Sequence, residues 1–438
     1  MGSEFTATSP DSKGQTVKLR VTDLQGIARS TANVVSPVGA KVAPGDVFEL
    51  TKWIPAEQDP LHIWMWPSNL SIQEVVSAAG TISSSGVAFV SDPAEERWTH
   101  VLGWDGKNWT VEKAGESAAI NLGPQLKADA LKQSLPAGAK LWVNFPPPKE
   151  LAAKLTPEDA ASAVQMAPAM TGADYALTGT LTPDGPAYAW YHKNELAAGP
   201  PATAARDHSP GCSATSQYPV RSDWVDLTGL ADLDKGVTSL NKYASLLGKL
   251  HGWLNLAESP ADASSADYYS LTMVPASGGA VSGAEQTQPD APARQGDLFK
   301  MALQSTDRVI ERRWVYVLDI DCHGKGTLVY PQDYAENQFP NDADNGRSFV
   351  LPGARNLRVG PPYGVDTFVL LSTAQPLPDA YALNFEGVAA RGSRGLESPL
   401  EKLLANTSSG TRGFSGEVPT NWGIALTTMR SVPKEAAQ

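Results

Sequence analysis

The stretch "VYVLDIDCHGKGTLVYP" at 315–331 decides the fold class. An apolar run climbs to Ile320, breaks across Asp321 to Gly326, and resumes as Thr327 to Tyr330. Two β-prone runs on either side of a short glycine-bearing break read as a β-hairpin with "DCHGKG" as its turn. Period two sets Val315, Val317 and Asp319 on one face of the first strand, and Tyr316, Leu318 and Ile320 on the other.

Outward from that hairpin, strand signals are dense from 296 to 388, and an antiparallel β-sandwich is expected over 296–390. A short helix, "SPLEKLLAN", and a closing strand, "NWGIALTTMRSV", are expected in 391–438. Upstream, 259–295 is low in complexity around one strand, "YYSLTMV". Residues 227–258 carry Leu227, Leu230, Leu233, Val237, Leu240, Leu247, Leu250 and Leu254 at helical spacing, which predicts one long helix or two short ones. The Ala-, Pro-, Ser- and Gly-rich 195–226 reads as a linker.

A β-rich module with helices is expected over 17–194. Its strands are "VKLRV", "VFEL", "LHIWMW", "GVAFV" and "WTHVLGW", and a hairpin turns at Pro183-Asp184-Gly185. Within it, "LSIQEVVSAAG" predicts a short helix stopped by Gly80. Residues 1–16 are expected to be a cloning remnant ("MGSEF") and a disordered lead, so the natural chain is expected to begin further upstream. "PGDVFELTKW" at 44–53 echoes "QGDLFKMALQ" at 295–304, which raises a shared module or a chance likeness. The fold class is thus mainly β with helical insertions (α+β), in two or three modules.

The 438 residues exceed one ordinary core. Plentiful Gly (38), Pro (34) and Trp (12) favour short strands joined by turns. A net charge of −12 without a basic run argues against nucleic acid and anionic membranes as partners. No apolar run approaches the roughly 20 residues of a membrane span. The only cysteines, Cys212 and Cys322, match no zinc spacing, and whether they are free or paired stays open.

Four constellations invite chemistry. Cys322 as a nucleophile needs a base to form thiolate. His323 follows it directly and on a strand would point to the opposite face. The other histidines are His62, His100, His192, His208 and His251, and none sits in a Gly-His-Gly turn. "NDADNG" at 341–346 places Asp342 and Asp344 as in a calcium loop, but Gly346 comes too early and no Glu follows. The "SGGAVSG" at 277–283 lacks the lysine of a phosphate loop. Trp64, Trp66, Trp98, Trp104 and Trp109 offer a stacking platform for a glycan or peptide, or a core; the core is the expected use. No catalytic residue, metal ligand or cofactor is therefore assigned, and no binding residue is fixed.

The succession "GDLFKMAL", "RWVYVLDIDCHGKGTLVYPQ", "ENQFP", "RSFVLPG" and "LRVGPPYGVDTFVLLST" across 295–375 resembles a C-terminal domain of unknown function found downstream of the peptidase domain in bacterial caspase-family (metacaspase-like) proteins. Ile320-Asp321, Gly324 to Gly326, Leu328-Val329-Tyr330-Pro331 and Gly360 to Gly364 carry the likeness. Weaker matches reach most of the chain, including "PLHIWMWP" and "LLGKLHGWLNL". The resemblance implies a non-catalytic recognition or regulatory region, with the peptidase motifs lying upstream, and leaves Cys322 as a hairpin residue. Its expected partner is the peptidase domain or another protein, with a surface glycan as a further candidate. The acidic 331–347 segment favours a cationic partner surface. A periplasmic or extracellular bacterial setting is a candidate location. The alternatives are a cysteine peptidase using Cys322 and a purely structural scaffold.

Overall fold

The computed structural model describes residues 4–7, 16–24, 30–37, 40–43, 46, 48–52, 60–157, 164–202, 207–258, 268–276, 292–306, 309, 311–332, 337–339, 348–377, 380–388 and 422–434. The protein is mainly β, with helices laid against its sheets.

The first sheet holds β1 (Glu4–Ala7), β2 (Lys18–Leu24), β3 (Ser30–Ser36) and β4 (Phe48–Lys52), in the order β3-β2-β1-β4. Glu4–Ala7, expected to belong to a disordered lead, is therefore a paired strand: Phe5 opposes Leu19 on one side and Leu50 on the other. Phe5 and Thr6 favour a strand, and a partner strand lies on each side. Of the echoed segments, β4 is the terminal strand of this sheet.

Next come β5 (Leu61–Met65), α1 (Ile72–Ser85), β6 (Phe89–Val90), β7 (His100–Trp104), β8 (Trp109–Lys113) and β9 (Ala119–Gly123). They are followed by α2 (Ala128–Ser134), β10 (Leu141–Val143), α3 (Lys149–Lys154), β11 (Val164–Met166), β12 (Tyr175–Thr182), β13 (Gly185–His192), α4 (Lys193–Ala197) and β14 (Val225–Asp226). Two mixed sheets result, β6-β10-β7-β8-β9 and β11-β5-β12-β13-β14.

Helix α1 starts at a capping box: Ser71 N–H donates to Glu74 Oε2 (2.7 Å) while Ser71 Oγ accepts from Glu74 N–H (3.3 Å). It runs through Gly80, the expected stop, and ends at Gly86, whose φ of 71° is left-handed. A mid-helix glycine costs about 1 kcal/mol against alanine. Burial of Val75, Ala79 and Ile82 on the same helix outweighs that cost.

Helix α5 (Leu233–Glu258) is one continuous element. Up to Leu247 it contributes Leu240, Ala244 and Leu247 to the core beneath the two mixed sheets, with Ile63, Leu102, Tyr188 and Trp190. Its second half sends Leu250 and Leu254 into a different core.

That second core belongs to the sandwich. Its strands are β15 (Tyr269–Pro275), β16 (Ala293–Arg294), β17 (Leu298–Ser305), β18 (Arg313–Ile320), β19 (Gly326–Tyr330), β20 (Gln338–Phe339), β21 (Ser348–Val350), β22 (Leu357–Arg358), β23 (Val365–Thr373) and β24 (Trp422–Val432). One sheet is β15-β17-β21, with β22 also on β17; the other is β16-β24-β23-β18-β19, with β20 on β18. The quoted hairpin is β18–β19, and the two faces fall as the alternation requires. Val315 and Val317 meet Met301 and Leu303 of the facing sheet, while Tyr316, Leu318 and Ile320 meet Leu250 and Leu254 of α5.

The sheets extend past 296–390. β15 pairs with β17 over seven positions and β24 with β23 over nine, so strands before and after that span complete the sandwich. "SPLEKLLAN" lies outside the described residues.

Candidate functional site

The β7–β8 hairpin builds one wall of a cleft. Asp105 closes its turn, its Oδ1 accepting the N–H groups of Lys107 and Asn108 at 2.7 Å each. Those two donors hold the Asp105 carboxyl below its ordinary range. Across the hairpin Leu102 opposes Val111 and Trp104 opposes Trp109; Leu102, Val111 and Trp109 are buried. Val101 opposes Glu112 and Gly103 opposes Thr110, so these four share the other face.

Asn144 joins that face from the end of β10, its N–H donating to Leu102 O at 2.8 Å. Trp66 comes from just past β5, in the other mixed sheet, and is 38% exposed. Trp66, Gly103, Trp104, Asp105, Glu112 and Asn144 thereby border a cavity of about 270 Å³. Each of the two indoles is fixed by another tryptophan edge to face: Trp64 at 4.5 Å from Trp66, and Trp109 at 5.4 Å from Trp104. Two polar atoms in the lining residues, Trp104 Nε1 and Asn144 Oδ1, are buried without a hydrogen-bond partner. A Cβ built on Gly103 meets nothing within 4 Å, so the missing side chain leaves open space.

The five tryptophans singled out in the sequence thus divide. Trp98 and Trp109 are core, as expected; Trp104 borders the cavity but packs against the core beside Trp109, and Trp64 and Trp66 are only partly covered, with Trp66 at the cavity. Gly103 and Asn144 escaped notice because a glycine in a strand and an asparagine after one carry no signal by themselves.

Cys322 sits elsewhere, in a disulfide with Cys212 (Cα–Cα 5.2 Å) that joins the 207–222 loop to the β18–β19 turn. Both residues are buried. His323 was expected to point away, yet a ring nitrogen and the two sulfurs lie within 4.8 Å of one another. The strand rule fails there because Cys322 and His323 occupy a turn. His323 Nε2 pairs with Pro210 O at 2.9 Å. A sulfur held in a disulfide offers neither a thiolate nucleophile nor a thiolate ligand.

The same loop is tied on its other side. Arg221 donates to Asp92 through Nε (2.8 Å) and its terminal nitrogen (2.5 Å). His208 lies between Glu95 (3.6 Å) and Asp207 (3.3 Å), and the Glu95 contact raises its pKa. His62 lies 3.9 Å from Asp174, while His192 stacks on Tyr218, which reaches His251 at 3.3 Å. His100 is buried beside Thr99. No histidine in these contacts faces a free thiol.

Beneath the disulfide, Asp319 and Asp366 lie on the sandwich's inner face. One oxygen of each is shut off from water without a partner. Burial first, and then neighbouring carboxylates, push Asp319 up to about 7 and Asp366 up to about 8. The stretches 277–283 and 341–346 lie outside the described residues. Among the described residues no helix is long and apolar enough to cross a membrane. No family model, no curated protein and no solved structure matches the chain.

Proposed function

We propose that the chain is a non-catalytic recognition or regulatory region, of the kind found beside the peptidase domain in bacterial caspase-like proteins, and that it binds a partner at the Trp66–Trp104 cleft. One observation carries the reading. The cleft combines the exposed Trp66 indole and the exposed carboxylates of Asp105 and Glu112 around the open space over Gly103. The family comes from the resemblance across 295–375, and the cleft stands independently of it.

The test is a panel of peptides and oligosaccharides read against wild type and Gly103→Val. Valine suits a strand and fills the space without meeting a neighbour at its Cβ. At least one ligand class should be retained by wild type and lost by the variant, with the melting temperature unchanged. Equal binding by both proteins would remove the cleft from the function.

A further inference from the structure

If the cleft is the recognition site, its lining selects the chemistry of the guest. The charge of the cleft is one-sided. Asp105 and Glu112 border it, and among the described residues no lysine, arginine or histidine does. Trp66, 38% exposed, adds an electron-rich ring whose face attracts cations. Exposed carboxylate and indole share a preference for a positively charged hydrogen-bond donor. We infer that the cleft takes the cationic side chain of a lysine or arginine carried by a partner polypeptide.

Size and shape support a single side chain over a sugar chain. About 270 Å³ lies below the usual range of small-molecule pockets. Each indole is packed edge to face against a second tryptophan, so neither such pair forms a flat platform for successive sugar rings. A surface for the partner's main chain is also at hand. β9 is the terminal strand of this sheet, and Ala119, Ile120 and Asn121 on it are exposed, Ile120 by 48%. The register sets Ala119 beside Glu112 and Asn121 beside Thr110, on the cleft's own face.

The experiment is calorimetric titration of the full chain with four probes. They are a nonapeptide of alternating lysine and glycine, its arginine counterpart, the lysine peptide fully acetylated on its side chains, and a tetrasaccharide of N-acetylglucosamine. At least one cationic peptide should bind and the acetylated one should not. Affinity should fall roughly threefold in Glu112→Gln, and again as salt rises, because these carboxylates are solvent-exposed and screened. Gly103→Val should abolish binding. Should that variant fold poorly, the Glu112→Gln and acetylation arms still decide. Tetrasaccharide binding that is lost in Gly103→Val, with no response to the cationic peptides, would overturn the cationic guest and leave the recognition reading standing. No binding by any probe, or cationic binding that survives both substitutions, would overturn both.

Discussion

Asp319 and Asp366 are carboxyls buried without full hydrogen bonding, and their cost has a definite sign. An aspartate in an unfolded chain titrates at about 3.9, whereas these two hold their protons to about 7 and about 8. Between those values the folded state binds more protons than the unfolded one, so stability falls as pH rises from about 4 to about 8. His208 acts in the same direction: its raised pKa stabilises the fold at low pH, and that contribution fades as pH rises through it. The melting temperature should therefore drop between pH 5 and pH 8, and Asp366→Asn should flatten the slope. An unchanged slope in that variant would place the effect elsewhere. The alternation of 315–320 gave Asp319 its face, but not that the face is interior. That depends on β15 and β17 of the facing sheet covering it, which no local pattern in β18 records. The disulfide was equally illegible, because 110 positions separate Cys212 from Cys322. Gly364 has a role only in its light: a Cβ there would lie 2.7 Å from Cys322 Cβ and 3.0 Å from Cys212 Cβ. Gly364→Ala should destabilise the protein, and Cys212→Ser with Cys322→Ser should cost about 2–5 kcal/mol, both read by denaturant titration.

Among the elements, β18 and α5 were the most legible, since each carries a long regular pattern. β18 shows its period clearly, and Leu318 is buried against α5 in the same core as Leu250 and Leu254. Leu318→Asp would set an unpaired charge in that contact, and the sandwich should lose cooperative unfolding. A soluble variant with a wild-type melting curve would mean the outer face is not covered as described. The leucines of α5 gave the helix, but not its division of labour. Leu240 and Leu247 serve one core and Leu250 and Leu254 another, so a single apolar stripe spans two modules. Gly80 shows the reverse failing. A glycine read as a stop became a mid-helix residue because the apolar spacing continues to Ile82, and the left-handed position fell at Gly86.

At the scale of the molecule, the modules are sewn together by chain-distant pieces. β15 and β24 complete the sandwich, α5 covers its outer face, and the 207–222 loop is held by the disulfide, by Asp92 and by Glu95. A fragment of residues 296–390 lacks β15, β24 and α5, and should not melt cooperatively by calorimetry. The sequence marked the strands of this region correctly, while strand order, being a long-range property, stayed hidden. The cleft has the same character, since Trp66, Gly103 and Asn144 meet only when two sheets are placed side by side. Its use as a binding site is tested most directly by fluorine NMR on protein carrying 5-fluorotryptophan, titrated with the alternating lysine–glycine nonapeptide. Trp66→Phe and Trp104→Phe assign the two cleft resonances. These two should move with increasing peptide while the core signals of Trp98 and Trp109 stay fixed; movement confined to other tryptophans, or none at saturating peptide, would rule the cleft out as the binding site.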